Sequence, residues 1–385
     1  MPFKPVSGID SLPGPLDARP AAIQMRYFCT YFDSNYLVRF LPLYASLCRH
    51  VGAFEIYALC FDDHAHEALG TLALEHVVPI ALEDFEREDE ELVSKKAERS
   101  TIEYYFTSSP SLPLYVLRNY AHVDLIAYLD ADLYFYSDVA PLYEELGDGS
   151  VLIIPHRYPD RIKERAKYGI YNVGLMIFRR DAEGLRCLDW WRAKCLDWCF
   201  DEVQADRYAD QKYLDQFPSR FDGVCVSKHK GANLGPWNIE SFTVSGRYGD
   251  VAVDDDPLIF YHFEGYRQEG SVLFDPGMAG EGYRLGEHII RSIHLPYVNQ
   301  ILKWTLQLNQ SQVGVHGSGG TRHVADGSTT AHSFAWCLRC FLAGNYIWAF
   351  AGKARYCDSL IGRTLVRLYD TLRSGTKFPR RQRST

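Results

Sequence analysis

Short apolar blocks alternate with stretches of helical period along the first two-thirds of this chain. Residues 26–31 read as a strand, and Asp33 and Ser34 stand where they would cap a helix over about 35–49. FEIYALCFD (54–62) predicts a second strand, 63–74 a helix, and HVVPIAL (76–82) a third strand. This alternation implies an α/β fold, a mostly parallel sheet with helices on its faces. The charge-dense EDFEREDEELVSKKAERS (83–100) predicts a solvated helix. SLPLYVLRNYA (111–121) predicts a helix leading into the strand IAYLDADLYFYSD (126–138). Further strands are expected at 151–156, 171–181, 223–228 and 257–265, with helices over about 182–200 and 208–218.

The pattern divides the chain into an extension (1–24), a main domain (25–312), a Gly-rich linker (313–330) and a helical basic region (331–385). Charge follows the same division. Residues 353–385 hold nine Lys/Arg against two Asp, so the tail is +7 and the remainder −15 within a total of −8. The acidic body excludes general nucleic-acid binding. The basic tail, with apolar residues at helical spacing in LIGRTLVRLYDTLR (360–373), fits either packing on the main domain or a peripheral membrane contact. The apolar stretch 333–350 contains Arg339 and is expected as a buried or interfacial helix rather than a span. The start lacks an apolar signal region, and ten Cys form no regular framework; Cys337 and Cys340 make a lone CxxC. These features point to a reducing cytoplasm and to core thiols.

One apolar block carries unexpected charge. Asp130 and Asp132 interrupt the strand at 126–138, and burying a lone carboxylate costs several kcal/mol. Aspartates at i and i+2 on a strand share a face. At the exit of a parallel sheet they can converge on one hard cation, Mn²⁺ or Mg²⁺, which would neutralise a diphosphate. A solvated turn, or a phosphatase whose first Asp is a nucleophile, would use the same two residues.

Five short segments place the pair in a wider order: Asp33-Ser-Asn35-Tyr36, LDAD, Asn172-Val-Gly174, Asp210-Gln211 and His262-Phe-Glu-Gly265. In this order the chain resembles the metal-dependent glycosyltransferases of GT-A fold, particularly the retaining group of glycogenin and the bacterial lipopolysaccharide galactosyltransferases. The resemblance implies a nucleoside diphosphate sugar donor, UDP-linked, and a glycan or glycolipid acceptor in surface polysaccharide or glycoconjugate synthesis. It assigns Thr30, Asp33 and Tyr36 to the base, Asp130 to ribose and metal, and Asp132 and His262 to the metal. Asn172, Asp210 and Gln211 would line the sugar pocket. A non-catalytic sugar-nucleotide or glycan-binding module of the same fold is the competing reading.

The group's Lys-Pro-Trp after H-F-x-G is replaced by Tyr266-Arg267-Gln268, so Arg267 is expected to take over its cation's task. The Arg that the group places upstream of D-x-D is missing here, and Glu103 and Thr107 are candidates to face the site in its stead. In KHKGANLGPWNIE (228–240), Lys228, Lys230 and Asn233 are candidates for phosphate or acceptor contacts.

Overall fold

A computed structural model describes residues 24–269, 273–278, 281, 283–310, 347–350 and 353–355. The extension, the linker, Cys337, Cys340 and the 360–373 stretch lie outside the described residues. The chain begins β1 (Arg26–Phe32), α1 (Leu37–His50), β2 (Phe54–Cys60), α2 (Asp63–Leu72) and β3 (Val77–Ala81). Four helices follow, α3 (Leu82–Arg87), α4 (Glu90–Lys95), α5 (Thr101–Ser108) and α6 (Ser111–Asn119), then β4 (Leu125–Leu129) and β5 (Leu133–Phe135). Next come α7 (Ala140–Leu146), β6 (Val151–Pro155), β7 (Tyr171–Arg179), α8 (Ala182–Asp197), α9 (Phe217–Arg220) and β8 (Val224–Val226).

The central sheet has seven strands in the order β3-β2-β1-β4-β7-β6-β8. Only β7 runs against its neighbours; the other pairings are parallel. Side chains alternate across the sheet as the pleat requires. Phe28 packs with Phe40, Leu41 and Leu43 of α1 on one face, while Cys29 joins Leu114, Trp191 and Cys195 under α6 and α8 on the other. Both faces are therefore dry, and polar chemistry is confined to the strand ends.

Beyond the sheet lie β9 (Val244–Arg247), β10 (Asp250–Val253), β11 (Asp256–Pro257), β12 (Phe260–His262), β13 (Arg267–Glu269) and β14 (Leu273–Asp275). They are followed by α10 (Glu287–Ile289), a π-helical turn over Ile290–His294, and α11 (Leu295–Gln310). An aromatic cluster of Tyr134, Tyr261, Phe263 and Tyr297 joins β5 and β12 to α11. No described helix is long and apolar enough to cross a membrane.

Several expectations change. The stretch 126–138 is not one strand: β4 ends at Leu129, a turn holds both aspartates, and β5 leaves the main sheet to pair with β12. The solvated helix over 83–100 is broken into α3, α4 and a short 3-10 turn, because Phe85 and Leu92 must both turn inward to the core. The helix over 208–218 is a 3-10 turn followed by the four-residue α9. Asp33 does not cap α1. It closes a turn ahead of the helix, accepting the N–H groups of Asn35 (3.0 Å) and Tyr36 (3.1 Å). Within 333–350, Ile347–Phe350 is a strand, β15, paired with β14 and with β16 (Lys353–Arg355). Its aromatic and β-branched residues suit a pleat better than a helix.

Candidate functional site

The β5–β12 ladder builds the site. Its register sets Leu133 opposite His262, and the Phe263 N–H donates to the Asp132 carbonyl at 3.0 Å. The turn after β4 is held from the other side by the Asp130 N–H, which donates to the Gly174 carbonyl of β7 at 2.9 Å. Asp130 and Asp132 from this turn and His262 from β12 thus converge, their ligand atoms all within 4.8 Å of one another. His262 Nε2 is 3.2 Å from Asp132 Oδ1 and 3.6 Å from Asp130 Oδ2. Two carboxylates and an imidazole are a donor set that suits a divalent cation. The i, i+2 spacing works through this turn, not through a shared strand face.

Electrostatics hold the cluster together. Burial works against a charged His262, yet Asp132 and then Asp130 raise it to about 9. Burial also pushes Asp132 up, but His262 and Arg39 outweigh it and hold this carboxyl below its usual range. Burial raises Asp130, opposed by His262 and aided by Asp132; the Tyr128 hydroxyl donates to its Oδ1 at 2.9 Å.

Arg39, a residue the sequence reading passed over, is buried beneath this cluster. Its Nη1 lies 3.6 Å from Asp132 Oδ2, and its Nη2 donates to the Tyr266 carbonyl at 2.6 Å. The guanidinium also sits 4.6 Å from the centre of the Tyr36 ring. Arg39 therefore ties α1, the aspartate turn and the segment after His262 to one another. The available signal was its helical neighbourhood. Pro42, Leu43 and Ser46, at i+3, i+4 and i+7, are all buried, so position 39 faces inward.

Asn172 is placed at the centre rather than at the rim. Its Oδ1 accepts from the Gly174 N–H (2.9 Å) and from His262 Nδ1 (3.2 Å). Its Nδ2 donates to His156 Nε2 (3.1 Å) and to Gln211 Oε1 (3.3 Å). All four hydrogen-bonding positions of the carboxamide are taken by protein. Gly174 is required here by close approach: a Cβ would lie 2.5 Å from Asn172 Oδ1 and 2.7 Å from His262 Nδ1. Gly174→Ala is therefore expected to weaken divalent-cation binding at this cluster by about tenfold or more through displacement of the His262 ring, with Mn²⁺ as the probe. Calorimetric titration of Mn²⁺ against both proteins checks this, and unchanged affinity would refute it.

The other expected residues are distributed as follows. Thr30 is fully buried in β1, with no hydrogen-bond partner for its hydroxyl among the described residues. Tyr36 exposes 37% of its surface next to Asp33. Asp210 is buried, and its carboxyl is pushed up to about 7 by burial, eased by Ser109 and reinforced by Asp130. Gln211 Nε2 donates to the Tyr168 carbonyl at 3.1 Å. Arg267 opens β13, half-buried.

The polar loop at 228–240 divides. Lys230 is turned to Asp254, Nζ to Oδ2 at 2.9 Å, and Lys228 is exposed. Asn233 adopts φ +64°, and its buried carboxamide has no partner among the described residues. Arg157, also missed, pins this loop by donating to the carbonyls of Ala232 (2.8 Å), Ser227 (3.1 Å) and His229 (3.1 Å). Glu103 and Thr107 serve α5 itself: Glu103 completes a capping box with Ser100, and the Thr107 hydroxyl donates to the Glu103 carbonyl.

No family model matches the chain. It is 32% identical over 282 residues to the uncharacterized protein YfnD of Bacillus subtilis (strain 168), covering 72% of this chain and 89% of YfnD. The uncharacterized protein YfnF of the same organism is 34% identical over 250 residues, covering 62% of this chain and 81% of YfnF. Among solved structures, the galactosyltransferase LgtC in complex with donor and acceptor sugar analogs overlaps 62% of this chain and 87% of its own. The identity is 17% and the TM-score 0.40.

Proposed function

We propose a sugar-transfer function for this chain, which belongs to the family of YfnD and YfnF of Bacillus subtilis. The single observation that supports it is the convergence of Asp130, Asp132 and His262 at the end of β4, beside the turn that presents Asp33 and Tyr36. A nucleoside diphosphate sugar needs a base platform and a cation-bearing acidic site next to each other, and the two lie at adjacent ends of β1 and β4 in the sheet.

The donor is a UDP-sugar. Tyr36 stacks on the base, with Asp33 as its polar partner. Asp130, Asp132 and His262 hold Mn²⁺ or Mg²⁺, and the imidazole tilts the set toward Mn²⁺. When bound, the cation neutralises the diphosphate and makes it a better leaving group. Arg39, already fixed between Tyr36 and Asp132, adds positive charge along the same path without a large ordering cost. Asp210 and Gln211 border the sugar. The reaction retains configuration, with the acceptor hydroxyl entering on the leaving-group face, so no protein nucleophile is required. The acceptor is a hydroxyl of a glycan or glycolipid of the bacterial surface, and the basic C-terminal region brings the protein to the inner face of the membrane.

Thermal-shift screening of nucleotide sugars with and without Mn²⁺, followed by transfer assays on the stabilising donors, tests this reading. UDP-sugars are expected to raise Tm only with the cation, and excess EDTA to abolish transfer. Turnover that persists in EDTA, or stabilisation by no nucleotide sugar, would sink it.

A further inference from the structure

We propose that Asn172 and His156 are positioning residues that orient the His262 ring, presenting its Nε2 lone pair to the cation. This rests on the metal-site reading above, but its test needs no sugar nucleotide.

The Gly174 N–H can only donate, and it meets one end of the Asn172 carboxamide at 2.9 Å. That end must be oxygen, so the other end is the NH₂ group. Two consequences follow in opposite directions. His262 Nδ1 lies 3.2 Å from the same oxygen, so it must donate, and Nδ1 carries a proton. A neutral His262 then has its lone pair on Nε2, the atom that faces Asp130 and Asp132. On the other side, the Asn172 NH₂ group meets His156 Nε2 at 3.1 Å, so that nitrogen must accept. The proton of a neutral His156 is then on Nδ1, where the Ile170 carbonyl accepts it at 3.3 Å.

Every member of this chain has one consistent arrangement. Reversing the amide would set NH₂ against both the Gly174 N–H and the protonated Nδ1 of His262. His156 is itself rigid: its ring stacks on Tyr158 at 4.6 Å, and its carbonyl accepts from Trp237 Nε1 (2.9 Å) and Asn238 Nδ2 (2.8 Å). Trp237 also packs edge-on against the His262 ring, 5.3 Å between centroids. An apolar residue would fill the space of His156 without holding the amide. Orienting partners of this kind typically change metal affinity by about 10–100-fold.

The test measures Mn²⁺ affinity by electron paramagnetic resonance, without nucleotide, in four variants. Asn172→Leu removes the acceptor for His262 and is expected to weaken Mn²⁺ binding by about tenfold or more. Asn172→Asp keeps that acceptor but loses the donor to His156, and is expected to bind Mn²⁺ more tightly than Asn172→Leu and no more tightly than His156→Phe. His156→Phe keeps a ring but loses the acceptor for Asn172, and weakens binding by several-fold; His156→Gln restores the acceptor and most of the affinity. Long-range ¹H–¹⁵N spectra of the Mg²⁺-loaded protein should show His262 protonated at Nδ1 in the wild type and a mixed signal in Asn172→Leu.

Wild-type affinity in Asn172→Leu, with Nδ1 still protonated, overturns the proposal. So does equal weakening by His156→Phe and His156→Gln, which would mean packing alone. A wild type that binds Mn²⁺ but transfers no sugar refutes the transferase reading and leaves this one standing. A wild type that binds no Mn²⁺ removes both.

Discussion

Under the proposed function, Asp132→Asn is expected to lower sugar-nucleotide turnover by about 10²–10³-fold, the usual loss when one preorganised charge-stabilising group is removed. The structure adds a second effect. Asp132 is the buried counter-charge of Arg39 at 3.6 Å and of His262 at 3.2 Å. Asn cannot replace that charge, and a buried cation left unpaired costs roughly 3 kcal/mol or more, several degrees in Tm. His262 can relieve its share by releasing a proton; a guanidinium cannot. The variant should thus fold, melt below the parent, and bind Mn²⁺ weakly. Circular dichroism melts, Mn²⁺ titration and turnover per folded molecule separate the effects. Wild-type Mn²⁺ affinity and turnover would remove Asp132 from the site.

Asp210→Asn is expected to do the opposite to stability. Asp210 is 5% exposed, and its carboxyl titrates at about 7 instead of 3.8. It therefore binds a proton more tightly in the folded state than in the unfolded one. Its contribution is most favourable below about pH 4 and is lost as pH rises through about 7. Above that point the buried charge costs on the order of 2–4 kcal/mol. Asn removes the charge, so the variant should be more stable than the parent at pH 8, with the gain vanishing toward pH 4. Under the proposed function it should also transfer sugar poorly, since a site that stores an unfavourable charge trades stability for activity. Denaturant unfolding at pH 4, 6 and 8 is the check. A stability change of the same size at all three would refute the buried-charge argument.

The sheet was legible because burial on both faces leaves a continuous apolar signature. The blocks at 26–31, 54–62 and 171–181 announce strands whatever their partners. The aspartate turn was legible as chemistry but not as shape. The sequence 126–138 reads as one strand because the pattern cannot show that β5 changes sheets after Asp132. That change of partner explains the aromatic run that follows. Tyr134 and Tyr136 belong to the cluster against Tyr261 and Tyr297, not to the main core. Arg39 and His156 were missed for a shared reason: each sits within or at the end of an apolar run. Position in the parallel sheet held the clue for His156, which immediately follows β6 at the same end of the sheet as the turn after β4. Lys230 stands in a glycine-punctuated loop, where charge carries no direction in the sequence; the Asp254 ion pair supplies one.

The β5–β12 ladder also sets an order of events. The seven-stranded sheet is complete once β8 ends at Val226, whereas His262 is still to come. A nascent chain can therefore bury most of its core while its acidic turn is incomplete, two carboxylates beside Arg39 without their third partner. Domains acquire structure from the N-terminus during synthesis, so His262 joins a central sheet whose strands have already been made. Under the proposed function, a cation would be held firmly only after β12 has closed on β5.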